Sequence, residues 1–299
     1  MRRRSALAAM ATLAGTAIAG VASRPDGNDQ LLTVARAGTD AVTRETVQLL
    51  PETVHETTLY EISAPDSGPT VMVFGGVHGD EYSGIEAARD ATEWAPDAGR
   101  LVVVPETDRV AVENDERGGI DGDLNRHFPA NQEPTSELAR GIWDAVERYE
   151  PAVVLDLHRS LGIYGFHREY VGQALFHSMD SHGPAIADAL TADTVPWYLP
   201  FHRFTPQEST AGGPLLFQKA AAELDATAYL FETTEFLLDH ATMTAQSRLV
   251  IAHVLAAHGV LEYDTGIGVA GAGAVGRETE AEIETETETE TESRGDKSE

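Results

Sequence analysis

The sequence predicts an α/β fold with a mixed, mainly parallel central β-sheet and helices on both faces. Within residues 40–262, short apolar runs rich in β-branched residues alternate with longer segments of helical periodicity. Hydrophobic residues make up 42% of the 299 residues, which is ample for a buried core. Ligands of such sheets bind beyond the carboxyl ends of the strands, so those ends are where functional residues are expected.

The first half of this region supplies two strands and two helices. "TVMVFGG" (70–76) is an apolar run that predicts a buried strand, and "SGIEAARDATEWA" (83–95) predicts a helix. "LVVVPE" (101–106) predicts a second strand. "TSELARGIWDAVERY" (135–149) has the apolar spacing of an amphipathic helix. The order of these elements favours a parallel pair of strands joined by a helix.

The second half repeats the alternation. "PAVVLDLH" (151–158) and "ATAYLFE" (226–232) predict two more buried strands. "HGPAIADALTA" (182–192) and "GGPLLFQKAAAEL" (212–224) predict helices between them. "TMTAQSRLVIAHVLAAHG" (242–259) predicts a helix that closes the domain. Residues 40–262 are therefore expected to form one large domain, the candidate catalytic domain.

Composition excludes several classes of site. The chain has no cysteine, so disulfides, zinc–thiolate sites and cysteine nucleophiles are excluded, and any metal must be held by His, Asp or Glu. The net charge is -28, with 21 Lys and Arg against 49 acids, which argues against a nucleic-acid partner. So acidic a composition is typical of proteins from salt-loving organisms, where salt screens self-repulsion.

Both ends are expected to lie outside the fold. Residues 1–22 combine Arg2–Arg4 with a small, mildly apolar run, which predicts a twin-arginine-type signal peptide and export to the cell surface or medium. The alternative is an N-terminal extension of a cytoplasmic protein. Residues 23–39 are a linker, and residues 263–299 are a Gly/Ala linker followed by a Glu/Thr tail that is predicted to be disordered. No integral membrane segment is expected in the mature chain.

A metal site is predicted at the carboxyl edge of the sheet. His78 and Glu81 lie in the glycine-rich stretch "VFGGVHGDEYSG" (73–84), directly after a predicted strand, and His158 is the last residue of the strand 151–158. Two histidines and one carboxylate are a ligand set of catalytic zinc, which leaves one position for water. The alternative for His78 and Glu81 alone is an ordinary polar loop.

Two neighbouring residues are expected to support these ligands. Gly79 allows the turn a backbone shape that a bulky residue would resist. Asp156 lies two residues before His158, projects to the same side of the strand, and can hold a ligand or the metal from behind.

A second polar block, "ERGGIDGDLNRHFPA" (116–130), carries Arg117, Asn125 and Arg126. An arginine fork binds a carboxylate at two points and Asn adds a directional donor, which suits an anionic substrate. A further arginine near a metal can stabilise an oxyanion. The alternative is an ion-paired surface loop.

These motifs resemble those of a known family. H-G-D-E at 78–81, D-L-N-R-H-F-P at 123–129, L-D-L-H at 155–158 and a late strand-end Glu are similar to the succinylglutamate desuccinylase/aspartoacylase branch of the zinc carboxypeptidase (M14-like) superfamily. The motifs occur in the same order and extend to Glu232. The resemblance implies a zinc carboxypeptidase-like fold and one Zn²⁺ per chain.

The resemblance also implies roles for single residues. It implies that His78, Glu81 and His158 bind the zinc, and that Asn125 and Arg126 bind the substrate carboxylate.

Two further roles concern catalysis. The resemblance implies that Arg117 polarises the scissile carbonyl and that the late Glu is the general base. Glu232 directly ends an apolar run, whereas Glu235 lies further on, so Glu232 is the preferred base and Glu235 the alternative.

The function implied is a zinc-dependent hydrolase that uses a metal-activated water to cleave an amide bond in a small carboxylate-bearing acyl compound, as an N-acyl amino acid deacylase does. One alternative is a metallocarboxypeptidase that acts on peptides. Another is a non-catalytic, secreted binding protein on the same scaffold. The expected partner is a small acyl amino acid or peptide substrate.

Overall fold

A mixed sheet of eight strands runs through the described part of the molecule, in the order β1-β2-β4-β3-β5-β8-β6-β7. The four predicted strands are β4, β3, β5 and β8, which are consecutive and mutually parallel. The strands are β1 Thr43–Leu49, β2 Thr57–Ser63, β3 Asp66–Phe74, β4 Ala98–Val104, β5 Val153–Ser160, β6 Ala174–His177, β7 Thr205–Glu208 and β8 Thr227–Thr234.

All five predicted helices are present. The helix predicted at 83–95 ends at Ala91, where Thr92 caps it through a backbone N–H bond to Arg89 O. A short helix at 109–114 was not predicted. The helices are α1 Tyr82–Ala91, α2 Arg109–Asn114, α3 Glu137–Tyr149, α4 His182–Thr194, α5 Leu216–Glu223 and α6 His240–Ala257.

The computed structural model describes three ranges of the chain: 42–179, 182–210 and 212–263. The predicted signal peptide, the N-terminal linker and all but the first residue of the C-terminal segment 263–299 lie outside them. Within these ranges, no helix combines the length and the apolarity needed to cross a membrane.

The strand alternation divides the core between the two faces of the sheet. In β3, Val71 and Val73 pack into one cluster with α1, α4 and α6, whereas Met72 and Phe74 pack into the other with α3 and α5. Side chains in a strand alternate between faces, so one apolar run supplies both clusters. The predicted α/β fold with helices on both faces is confirmed.

The outer strands were not predicted because they are short or half exposed. None of the seven residues of β1 is buried, so β1 lacks the apolar run of a central strand. It pairs antiparallel with β2. β6 and β7 have four residues each, and β7 contains Pro206. Such strands follow from pairing with a neighbour rather than from their own composition.

Two predicted strand ends need correction. His158 and Glu232 were expected to be the last residues of their strands, but β5 continues to Ser160 and β8 to Thr234. The polar residues continue the ladder because their hydroxyls bond to neighbouring loop carbonyls: Ser160 Oγ donates to Gly172 O at 2.6 Å and Thr234 Oγ1 to Gly162 O at 2.7 Å. The parallel pair β5–β8 thus extends two residues beyond His158 and Glu232.

The turn after β3 is held by close packing at Gly79. A Cβ at this position would lie 2.0 Å from the carbonyl carbon of Ala111 in α2. Gly79 N–H also donates to Glu116 O at 2.9 Å. Its φ is not in the left-handed region, so the expected backbone reason was wrong and the requirement is for space.

Replacing Gly79 with alanine is expected to lower the free energy of unfolding by at least about 1–3 kcal/mol, because α2 must move to admit the methyl group. Urea unfolding followed by circular dichroism measures the change. Gly212→Ala is the matched control, since nothing lies within 4 Å of the Cβ it would carry. Equal midpoints for Gly79→Ala and the control would contradict this packing argument.

Candidate metal centre

Three buried side chains meet at one point: His78 and Glu81 from the turn after β3, and His158 from β5. Nδ1 of His78 lies 3.1 Å from Nδ1 of His158. Glu81 Oε1 lies 2.9 Å from His78 Nδ1, and Glu81 Oε2 lies 2.8 Å from His158 Nδ1. One ligand atom from each residue lies within 4.8 Å of the others, and among the described residues this is the group suited to a metal ion.

The far nitrogens of both rings are held by carboxylates. His158 Nε2 donates to Asp156 Oδ2 at 3.0 Å, and His78 Nε2 donates to Asp123 Oδ1 at 3.0 Å. This pattern fixes the tautomer and orientation of a metal-binding histidine. Both Nδ1 atoms therefore turn toward Glu81. Asp156 was expected in this position.

Asp123 was not singled out from the sequence. Its only signal there is its place at the start of the D-L-N-R block. Its side chain also accepts the backbone N–H of Asn125 at 3.0 Å, so the same carboxylate shapes the short helical turn Leu124–Arg126 and orients His78.

The donor set fits a cation. When each Nε2–H is donated to an aspartate, the neutral rings present lone pairs at Nδ1, which face each other and the Glu81 carboxylate. Three acceptors in contact repel one another unless a proton or a metal ion lies among them. Two nitrogens 3.1 Å apart can both reach one ion at the usual zinc–nitrogen length of about 2.0–2.1 Å.

The electrostatics of the cluster point the same way. Burial disfavours the charged Glu81 carboxylate, but His158 and His78 outweigh it and lower the pKa of Glu81 far below its usual range. Burial likewise opposes charge on His158, yet Asp156 and Glu81 raise its pKa well above the ordinary value. The carboxylates thus hold positive charge at this point, whether a proton or a metal ion supplies it.

Asp123 is ionised for similar reasons. Burial tends to raise its pKa, but the hydrogen bond and charge of His78, with Arg117 and Arg126, lower that pKa well below the usual range.

Arg117 and Arg126 flank the metal centre through this carboxylate. Arg117 Nε lies 3.2 Å and Arg126 Nη2 3.4 Å from Asp123 Oδ2, and Arg117 Nη1 lies 3.4 Å from Glu81 Oε1. Their side chains remain 52% and 56% exposed. Both guanidinium groups are therefore held beside the candidate ligands. Each also has enough exposed surface to bind an anion.

Asn125 is buried inside the framework. Its Nδ2 donates to Asp156 Oδ2 at 3.1 Å, and its Oδ1 accepts the backbone N–H of Leu216 at the start of α5, also at 3.1 Å. These contacts connect the Asn-Arg block to β5 and α5. The predicted role of Asn125 in binding a substrate carboxylate stays a prediction.

Glu232 lies beside His158 on the neighbouring strand, in direct Cα register. Its Oε2 is buried and has no hydrogen-bond partner among the described residues. Burial is the main cause that raises the pKa of Glu232 to about 8, and the nearby Glu81 and Asp156 charges add to it. A partly buried carboxyl group with a raised pKa is a form that general bases take in active sites.

Glu235, the alternative base, is in a different situation. Its carboxylate is 45% exposed and forms an ion pair with Arg159. Arg159 was not noticed in the sequence, although it follows His158 directly. Its backbone N–H donates to Glu81 Oε2 at 2.9 Å and its Nη2 donates to Asp80 O at 3.0 Å, so it braces the turn that carries two of the ligands.

Comparison with known families gives a match over this region. Residues 67–195 match the model of the Succinylglutamate desuccinylase/Aspartoacylase catalytic domain. The matched range contains the three candidate ligands, both arginines and Asn125, whereas Glu232 lies beyond it.

One relative of known activity is similar in sequence. The N-alpha-acetyl-L-2,4-diaminobutyric acid deacetylase of Halomonas elongata is 37% identical over 115 residues, which is 35% of this chain. The match spans 33%, about a third, of the length of that relative.

Solved structures share the fold. The product-bound ectoine utilization protein of Ruegeria pomeroyi has a TM-score of 0.53 at 20% identity, covering 75% of this chain and 69% of that one. A succinylglutamate desuccinylase from a Silicibacter species has a TM-score of 0.55 at 20% identity, with coverage of 75% and 69%. The family match and the motif order lead to one conclusion: residues 67–195 are similar to the succinylglutamate desuccinylase/aspartoacylase catalytic domain, and the solved structures share the fold of the chain.

Proposed function

We propose that the protein is a zinc-dependent deacylase that hydrolyses the amide bond of small N-acyl amino acids. The observation that carries the proposal is the buried cluster of His78, His158 and Glu81, whose two Nδ1 atoms and carboxylate converge while aspartates hold both Nε2 atoms. This is a His₂-carboxylate set of the kind that catalytic zinc uses. The deacetylase activity in the name of the Halomonas elongata relative supports an N-acyl substrate.

The chemistry divides between the metal and the chain. Bound zinc would supply a Lewis acid that makes water nucleophilic near neutral pH and polarises the scissile carbonyl. Glu232, beside His158, takes the proton of the attacking water and returns it to the leaving amine. Because Glu235 is engaged by Arg159, the preference for Glu232 as the base is supported by the geometry.

The arginines take the negatively charged groups. Arg126 binds the free carboxylate of the substrate, and its side chain is exposed enough to do so. Arg117, which lies against Glu81, stabilises charge that develops on the carbonyl oxygen. Asn125 orients the Arg126 backbone by anchoring the turn to Asp156.

The proposed function predicts that the chain binds zinc. Protein reconstituted with zinc and then dialysed is expected to retain about one zinc per chain, and His158→Ala is expected to lose it, because one of three protein ligands is removed. Metal content by mass spectrometry measures this. His240→Ala is the control, since His240 lies on the surface beside Glu86. Zinc retained equally by His158→Ala would overturn the proposed ligand set.

Asp123→Asn tests how His78 is held. The amide is a poorer acceptor for the Nε2–H and removes a charge, so zinc affinity is expected to fall about 10- to 100-fold. Competition with a chromogenic chelator measures the dissociation constant. Asp121→Asn, in the same loop, serves as control, because the described contacts of Asp121 are with His55 and His127 and not with the three candidate ligands. An unchanged constant for Asp123→Asn would show that this hydrogen bond does not matter for the metal.

Glu232→Gln tests the base. The variant is expected to bind zinc as the wild type does but to lose about 10²- to 10⁴-fold in kcat on an N-acyl amino acid, because proton transfer is removed. Glu235→Gln should change kcat much less, since its carboxylate forms a surface ion pair. If the two variants exchanged these results, Glu235 would be the base.

A further inference from the structure

An apolar cleft of about 380 Å³ lies past the carboxyl ends of β5 and β8, the two strands that carry His158 and Glu232. Its apolar lining comes from the segments that follow β5 and β8, and several of these side chains are exposed, with Phe166 at 67% and Leu237 at 74%. Neighbouring exposed apolar groups of this kind mark binding sites more often than inert surface. The apolar residues that line the cleft are Leu161, Ile163, Phe166, Tyr170, Phe236 and Leu237.

The cleft continues the strands that carry the site. The His158–Glu232 register pair is followed by Ser160–Thr234, and Glu235 N–H then donates to Ser160 O at 3.3 Å. The lining begins at Leu161 and Glu235, three residues past that pair. At about 3.3 Å per residue, the cleft starts roughly 10 Å from the proposed base.

Arg159 connects the two regions directly. Its backbone N–H binds Oε2 of Glu81, and its guanidinium pairs with Glu235 on the cleft wall. The other oxygen of Glu81, Oε1, faces Arg117. Arg117, proposed for the carbonyl oxygen, and Arg159, which pairs with the cleft wall, therefore contact different oxygens of Glu81.

The walls of the cleft are held in place. His202 Nε2 contacts Phe236 O at 2.8 Å, and its ring stacks on Phe236 with centroids 6.0 Å apart. Phe166 meets Phe201 edge to face at 5.7 Å. Tyr170 packs so closely over Gly162 that a Cβ there would lie 2.3 Å from the Tyr170 ring. A preformed cavity of this kind is typical of small-molecule sites.

The charge of the lining limits the ligand. Glu235 is an acid already paired with Arg159, and the described residues that line the cleft include no cationic side chain. A succinyl or aspartyl group would bring a further carboxylate to a wall where the cation Arg159 is already paired with Glu235. A neutral, apolar group would instead gain by covering exposed rings and aliphatic side chains.

We propose that this cleft binds the acyl group of the substrate, and that this group is neutral and apolar, with a chain at least as long as octanoyl. The inference rests on the proposed deacylase function and adds the substrate class. An apolar cavity of roughly 150 Å³ holds a benzene molecule. A cleft of about 380 Å³ has room for a longer chain while the carboxylate of the amino acid binds Arg126.

The test compares three acyl groups on the same amino acids. N-acetyl, N-succinyl and N-octanoyl derivatives of L-aspartate, L-glutamate, L-leucine and L-2,4-diaminobutyrate are assayed with the zinc-loaded full chain. We expect kcat/KM at least tenfold higher for octanoyl than for acetyl, and the lowest value for succinyl. A preference for acetyl or succinyl, or one that follows only the amino-acid side chain, would overturn the proposal.

Two variants locate the preference. Phe166→Ala and Leu237→Asp are each expected to lower the octanoyl-to-acetyl ratio of kcat/KM about tenfold, and both side chains are exposed enough to be changed without unfolding the core. Trp197→Ala removes an aromatic group that is 90% exposed and lies outside the cleft lining, so it should leave the ratio unchanged. Ratios unaffected by both cleft variants would place the acyl group elsewhere.

A binding measurement separates the two hypotheses. Calorimetry with N-octanoyl and N-acetyl amino acids is done on Glu232→Gln, so that hydrolysis does not interfere. We expect octanoyl to bind at least tenfold more tightly, and the advantage to be lost when Phe166→Ala is added. If no derivative were hydrolysed by the wild type, the deacylase function would fail, while the calorimetric result would still decide for or against the cleft.

Discussion

The structure depends on burying Glu81, His158 and Asp156 together. All three are at most 4% exposed, and buried ionised groups are costly unless they are paired. The pairing is a chain of contacts. Asp156 contacts Nε2 of His158, and Nδ1 of His158 contacts Glu81. Glu81 also contacts Nδ1 of His78. With the imidazole rings neutral, the carboxylates of Glu81 and Asp156 leave negative charge in excess. A divalent cation at this point offsets that excess, so the cost of the buried acids is itself an argument for a metal.

The same alternation that builds the core places these residues. In β5, Val154 faces the α3/α5 cluster, and Asp156 and His158 follow on that face at a period of two. In β8, Leu230 faces the same cluster and Glu232 comes next. Parallel register then sets His158 beside Glu232. One face of the sheet is therefore apolar near its centre and carries the candidate site near its carboxyl edge.

The features that could be predicted from the sequence are those that depend on local patterns. Central strands and helices follow from apolar periodicity, and the His78, Glu81 and His158 cluster follows from the rule that parallel strands end at one edge. The edge strands escaped prediction because pairing, not composition, makes them strands. Asp123 and Arg159 escaped because their roles depend on contacts with residues 45 and 78 positions away, which no local pattern records. The Gly79 constraint likewise appears only when α2 packs against the turn.

Arg159 connects the candidate metal centre to the apolar cleft. The chain extends β5 past its ligand, so the residue after His158 can bind Glu81 through its backbone and Glu235 through its side chain. A metal ligand and a wall of the apolar cleft are thus fixed by one residue. An acyl group in the cleft would be positioned relative to the metal without any need for a moving lid. Because orientation of this kind contributes to the rate itself, the cleft would act on kcat as well as on binding.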